Sequence, residues 1–208
     1  MEVYTMIPKL ILVSSSPRRI ELLKKLKFNF EVLRPRVEVE EKHVRPHEAV
    51  IINAERKVKS VITPNLRGIF IGVDTIVYID REILGKPKGI DEAKWMLKKL
   101  SGRKHHVYSG IYLYDTYKSI SKSTYVKTQV LFKELEEEEI DWYISTGEPF
   151  DKAGAYGIQG YASLFITEIK GSYYNVLGFP IEAFYRLLTE MGYNPLNFIN
   201  LETTHRKY

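Results

Sequence analysis

One carboxylate stands inside an apolar run. It is Asp74, in the stretch IFIGVDTIVYI at residues 69–79. A buried carboxylate without a partner is costly, so Asp74 must be paired or must hold a metal ion. Cations that could meet it fall near expected loop or helix ends: Arg18, Arg19, Lys57, Lys86 and Lys152. Further acids cluster after the second expected strand, at Glu38, Glu40 and Glu41. Many cations around few carboxylates suit a polyphosphate bound with a divalent metal. The cations neutralise phosphate oxygens, and the carboxylates take a hard ion that prefers oxygen ligands.

The elements around these residues must bring them together. Residues 10–13, LILV, read as a short buried strand. SSSPRR follows, with Ser16 as an N-cap and Pro17 at the first position of a helix. The free N–H groups at such a helix start favour an anion. Arg18 and Arg19 in its first turn oppose the helix dipole. A bound phosphate would resolve that conflict; so would solvation or pairing with carboxylates. Residues 30–34 read as a second strand, and Pro46 opens a helix to about Val61 that carries Lys57. Residues 68–80 form the strand that carries Asp74, and Lys86 follows in a Gly/Pro loop.

Asp91 is expected to cap the next helix, over DEAKWMLKKL. Residues 106–115 and 124–132 alternate like strands, joined by the polar loop DTYKSISKS. His105 and His106 have no partners at ligand spacing and read as structural. The acid run ELEEEE starts a helix, where negative charge suits the dipole, and reads as a solvated face. The stretch 147–180 then holds six glycines around Lys152, Tyr156, Gln159 and Asn175. Glycine lets a ligand or another backbone come close. The stretch is either a shaped pocket wall or a run of tight strands and turns. PIEAFYRLLTEMGY forms a last helix ending at Gly192. The tail from Asn194 has no clear period and is expected to pack loosely.

The totals set bounds. The 208 residues suit one large domain or two small lobes, and a 44% hydrophobic share supplies a proper core. Lys and Arg number 31 against 26 Asp and Glu, a charge of +5 that fits an anionic ligand without deciding which. With no cysteine, disulfides, thiol catalysis and cysteine-ligated metals are excluded. No stretch reads as a signal peptide or a membrane helix. The expectation is a cytoplasmic protein with no membrane contact.

At this point the motifs assemble. LVSSSPRRIELL (12–23), GVDTIV (72–77), LGKP (84–87), AKWMLKKLSG (93–102), GEPFDKAGAYGIQG (147–160) and GSYYNVLGFPIE (171–182) resemble the Maf family of nucleotide pyrophosphatases in order and spacing. The resemblance implies one Maf-like domain over residues 1–208, an α/β fold of two lobes around a central cleft. It implies a long mixed sheet, related in shape to inosine-triphosphate pyrophosphatases. The implied reaction splits a nucleoside triphosphate between its α and β phosphates, giving a monophosphate and pyrophosphate. A divalent metal is implied, magnesium or manganese with cobalt as a further option, and so is a homodimer.

Carried onto this chain, the catalytic residues fall on Asp74, Lys57 and Lys86. Substrate-binding residues fall on Ser14, Arg18, Arg19, Thr75 and Gln159. Arg18, Thr75 and Gln159 resemble the branch acting on dTTP and UTP. The metal falls on Asp74 and an acid after the second strand, with Glu40 favoured over Glu38 and Glu41. Val73 replaces the family's usual alanine, which should matter little to chemistry. Two other classes stay open. A non-catalytic nucleotide-binding regulator of cell division would keep the phosphate cradle without turnover. A nucleic-acid-binding module needs a concentrated basic stripe, whereas the cations here are spread among acids, so no stable nucleic acid complex is expected.

Overall fold

The computed structural model describes residues 7–37, 41 and 44–200. Seven strands form one mixed sheet: β1 (Leu10–Val13), β2 (Phe30–Leu33), β3 (Ile69–Ile79), β4 (Glu82–Leu84), β5 (Lys104–Asp115), β6 (Ile120–Phe132) and β7 (Ile166–Lys170). Their order is β2-β1-β3-β5-β6-β7, and β4 also pairs with β3. The β1 pairs with β2 and β3 are parallel, and the remaining pairs are antiparallel. The parallel strands need crossovers. Helix α1 (Pro17–Lys25) joins β1 to β2, and α2 (Pro46–Lys59) lies between β2 and β3. Helices α3 (Ile90–Leu100), α4 (Glu137–Ser145), α5 (Tyr173–Leu177) and α6 (Ile181–Glu190) follow.

Alternation along β3 and β5 divides the packing between the two faces of the sheet. On one face, Ile69, Ile71 and Val73 pack with Leu22 and Leu23 of α1 and with Phe184, Leu187 and Leu188 of α6. Farther along the same face, Val77 and Ile79 join a second core with Met96, Leu97 and Leu100 of α3 and Ile140, Tyr143 and Ile144 of α4. The opposite face is covered by α2, whose Ala54 and Val58 pack on Val13, Phe70 and Tyr112. The two cores on this face share Ile166 and Val176 as neighbours, and the mixed α/β sheet flanked by helices agrees with the fold that the resemblance implied.

Two glycines set how closely α2 approaches. Gly72 on β3 and Gly110 on β5 both face it, Gly110 being paired with Asp74. A methyl group on Gly72 would strike the Ala54 carbonyl, and one on Gly110 the Val50 backbone. Backbone cannot step aside as a flexible side chain can, so these positions fix the height of α2 above Asp74.

Several sequence expectations change in detail. Asp91 does not cap α3: Gly89 is the cap residue, and Asp91 lies inside the first turn, where its charge still suits the dipole. The loop between β5 and β6 shrinks to residues 116–119 because the exposed Ser/Lys/Thr run stays paired with β5, out to Asp115 opposite Ile120. Asp115 Oδ1 closes that turn by accepting from the Tyr117 and Lys118 amides. Ser16 is at the N-cap of α1 but makes no side-chain cap bond; its own amide donates to Ser14 Oγ. The chain after Asn194 is not loose as far as Asn200. Pro195–Phe198 forms a 3-10 turn, Phe198 is buried, and Ile199 bridges to Phe28.

Gly110→Ala should therefore destabilise the fold by roughly 1–3 kcal/mol through overpacking, and by more if α2 cannot shift. Urea unfolding of the variant should show a lower midpoint with an unchanged slope. A wild-type midpoint would show that α2 does not depend on Gly110.

Candidate active site

The site begins with an interruption in strand pairing. On one side β3 is paired with β5 along Ile69–Tyr78. On the other side it pairs first with β1, up to Gly72, and later with β4, from Val77. Among the described residues, no strand covers Val73–Ile76 on that side. The loop after β1, the start of α1 and the loop after β4 converge on this gap. Ser14, Arg18, Arg19, Lys57, Asp74, Thr75 and Lys86 all line one cleft there. A crevice outside the carboxyl end of a parallel strand is a common ligand position in α/β folds.

Cations occupy the uncovered edge. The Val73 carbonyl accepts from Arg19 Nη1 at 2.8 Å and from Lys57 Nζ at 3.4 Å. The buried Arg19 also donates from Nε to the Gly178 carbonyl at 2.8 Å and from Nη2 to Thr75 Oγ1 at 3.1 Å. Its Nη1 lies 3.5 Å from Ser14 Oγ. Burial lowers the guanidinium to about 10, with the Asp74 charge pushing the other way, so it stays charged at neutral pH. Arg19 thus ties β1, α1, β3 and the turn before α6 into one corner. Arg18 differs: among the described residues its buried Nη1 has no hydrogen-bond partner, and it lies 3.9 Å from Asp151 Oδ1. Lys86 is exposed on the cleft wall.

Asp74 is paired, as its burial demands. Lys57 Nζ lies 2.5 Å from Oδ1, and Asn53 Nδ2 donates to Oδ2 at 3.0 Å. Burial lowers the Lys57 pKa, and the Asp74 carboxylate opposes that shift. Behind Thr75 a polar chain crosses the sheet. Thr75 Oγ1 meets Ser109 Oγ at 2.8 Å, Ser109 donates to the Asn175 carbonyl, and Asn175 Nδ2 donates to Thr128 Oγ1. This network anchors α5 against β5 and β6.

The glycine-rich stretch forms the far wall. It folds as short 3-10 turns at Glu148–Asp151, Ala153–Ala155 and Tyr161–Phe165 before β7 and α5. Asp151, Ala153, Tyr156, Gly157 and Ile158 line the cleft, so the pocket-wall reading holds for that part. Lys152 does not line it; its ammonium donates to the Glu148 carbonyl and to Asp151, beneath Gly157. Gln159 follows the lining residues Gly157 and Ile158 but is itself exposed and outside the lining. Glu38 and Glu40 fall outside the described residues, whereas Glu41 lines the cleft. His105 is buried in the second core, as a structural residue should be, with Nε2 2.8 Å from the Tyr156 hydroxyl.

The sequence reading passed over Asn53 and Ser109, whereas Tyr156, named there with the glycine-rich stretch, does line the cleft. For Asn53 a signal existed: it precedes Lys57 by four residues, hence on the same helix face.

A cleft that sets one paired carboxylate among several cations suits a phosphate-bearing ligand. The comparisons narrow this. The family described as Maf-like protein matches residues 9–191, and the chain belongs to that family. A dTTP/UTP pyrophosphatase of Carboxydothermus hydrogenoformans is 45% identical over 185 residues, covering 89% of this chain and 100% of the relative. One from Clostridium tetani is 47% identical over 190 residues, covering 88% and 98%. Among solved structures, the Staphylococcus aureus Ham1 protein aligns over 60% of this chain and 71% of its own at 16% identity, with a TM-score of 0.42.

The His105–Tyr156 contact yields a pH prediction. Burial lowers the His105 pKa from 6.5 to about 4. The unfolded chain then binds the proton first, so stability is complete above pH 6.5 and falls as pH drops towards 4. By pH 5 this one group should cost about 2 kcal/mol. His105→Gln lacks the group, so the wild type's advantage over it in urea unfolding at pH 7 should shrink at pH 5. A constant advantage would show that His105 charges as readily in the fold as outside it.

Proposed function

We propose that this chain hydrolyses dTTP and UTP to the nucleoside monophosphate and pyrophosphate. The observation that carries the reading is the Asp74 carboxylate, held by Lys57 and Asn53 at the uncovered edge of β3 and facing a cleft lined by Arg18 and Lys86. The names of the relatives supply the substrate class, and Arg18, Thr75 and Gln159 agree with the pyrimidine branch.

In this reading the triphosphate lies along the cationic side of the cleft. Water attacks the α-phosphorus. A new P–O bond forms, the bond to the bridging oxygen breaks, and its electron pair leaves on pyrophosphate. Asp74 accepts the proton of the attacking water or orients that water. Arg18, Lys57 and Lys86 stabilise charge on the phosphates and the leaving group. Arg19, already bonded to Val73, Gly178 and Thr75, acts chiefly by holding Ser14, Thr75 and the Gly178 turn in place. Gln159 can match the O4/N3–H edge of uracil or thymine, since its amide both donates and accepts.

The residues fit a divalent ion. Lys57 engages one Asp74 oxygen and Asn53 the other, which leaves each a lone pair. Glu41 lines the same cleft, while Glu40 remains the proposed second acid. A magnesium-type ion needs only one or two protein carboxylates when phosphates complete its shell. Among the described residues no group of three or more His, Cys, Asp or Glu could hold an ion by itself. Bound there, the ion would neutralise phosphate charge and polarise the anhydride. Among the described residues, no helix is long and apolar enough to cross a membrane.

Pyrophosphate release from dTTP, UTP and purine triphosphates, with magnesium or manganese, tests the reading. Pyrimidine triphosphates should turn over fastest. Lys86→Ala should lower kcat/KM by about 100–1000-fold, as loss of a preorganised charge-stabilising group does. Nucleotide binding without release of pyrophosphate would instead identify a non-catalytic sensor.

A further inference from the structure

Asn53 is one of the few polar side chains fully inside the protein, 1% exposed. It stands one turn before Lys57 on α2, and both reach Asp74 because Gly72 and Gly110 let α2 lie low on the sheet. Its two ends serve different partners. Oδ1 accepts from the Glu41 backbone amide at 3.0 Å, and Nδ2 donates to Asp74 Oδ2 at 3.0 Å. Only one orientation of the amide satisfies both: a backbone N–H requires Oδ1, so the NH2 group must face the carboxylate.

This matters because the last torsion of an aspartate is soft. Lys57 alone would hold Oδ1 and leave the carboxylate free to swing about it. A second donor on Oδ2 fixes the carboxylate plane and aims the remaining lone pairs. The same amide fastens the backbone of Glu41 to the reaction centre, and Glu41 also lies on the cleft, with Arg56 Nη1 3.4 Å from its Oε2. One side chain therefore joins the Glu41 backbone to Asp74.

We propose that Asn53 is a positioning residue of this site, setting the rotation of the Asp74 carboxylate and the register of the Glu41 backbone against it. The kinetic consequence rests on the pyrophosphatase reading, whereas the geometric claim does not. A bland buried amide would support the fold and nothing more, so the two roles separate in measurement.

Asn53→Leu is close in size and removes both bonds. Asn53→Asp keeps the acceptor for Glu41 and removes the donor to Asp74. Both should lower kcat for dTTP by about 10–100-fold, the usual effect of losing a partner that orients a reacting group. KM should change little, because Arg18, Lys57 and Lys86 still meet the phosphates. Wild-type kcat in either variant, or a raised KM at unchanged kcat, overturns the proposal. A second readout needs no turnover. The Asn53 side-chain NH2 protons of the wild type should exchange slowly with solvent, and Asp74→Ala should speed that exchange. If wild-type protein releases no pyrophosphate from any nucleotide, the functional reading fails, and the exchange measurement still decides whether Asn53 holds Asp74. Fast exchange in the wild type, or exchange indifferent to Asp74→Ala, overturns the positioning role.

Discussion

Everything at the cleft depends on a short stretch of β3, Val73–Ile76, that among the described residues is paired with β5 on one side and has no strand on the other. Backbone groups at an open edge need partners. Here the Val73 carbonyl finds two cations, Arg19 and Lys57, in place of a neighbouring amide. The interruption therefore does two things together. It opens a crevice wide enough for a ligand, and it draws positive charge to the crevice floor. Asp74, next along the strand, is then an acid among cations, a placement that an apolar strand alone could not sustain.

The two glycines under α2 are the second half of this constraint. A helix normally rides on side chains, yet the α2 backbone sits where a Cβ at position 72 or 110 would be. That closeness lets Asn53, buried on the helix, bond directly to a carboxylate on the strand. On the opposite face the Arg19 guanidinium and the Thr75–Ser109–Asn175 chain perform the matching task, locking the turn at Gly178 to the sheet. Asp74, Asn53, Lys57 and Arg19 are thus carried on a strand and on helices, which keeps their geometry narrow, whereas Lys86 sits in the loop after β4.

Much of this was legible in the sequence. The apolar run around Asp74 required a partner for its charge, and Lys57, on a helix opened by Pro46, is that partner. The first strand, the first helix and the last helix follow from apolar period and from Pro17. What the sequence did not reveal are facts of close approach. Nothing in a residue pattern says that Gly72 and Gly110 face a helix backbone, because a glycine in a strand looks alike whether it meets a bulge, a turn or a neighbour. Arg18 and Arg19 are identical in type and adjacent, yet Arg19 donates from all three of its nitrogens, whereas among the described residues the buried Arg18 Nη1 has no hydrogen-bond partner; that difference comes from the Val73 and Gly178 carbonyls, which are distant in sequence. Asp91 looked like a cap because its type favours caps, but the preceding Gly89 takes that position. Gln159 is exposed beside the lining residues, a detail that residue type does not carry.

In the proposed reaction Asp74 lies at the reaction centre rather than serving as a structural ion-pair partner. Asp74→Asn keeps the shape and removes the charge and basicity. Single-turnover hydrolysis of dTTP, nucleotide binding and melting temperature should be measured on one preparation of this variant. The account predicts turnover reduced by about 1000-fold or more, by analogy with loss of a key reacting group. Nucleotide binding should persist. The melting temperature should fall modestly, because Lys57 loses its partner in a partly buried pair. An Asp74→Asn protein that hydrolyses dTTP at the wild-type rate would contradict the account, whatever its melting temperature.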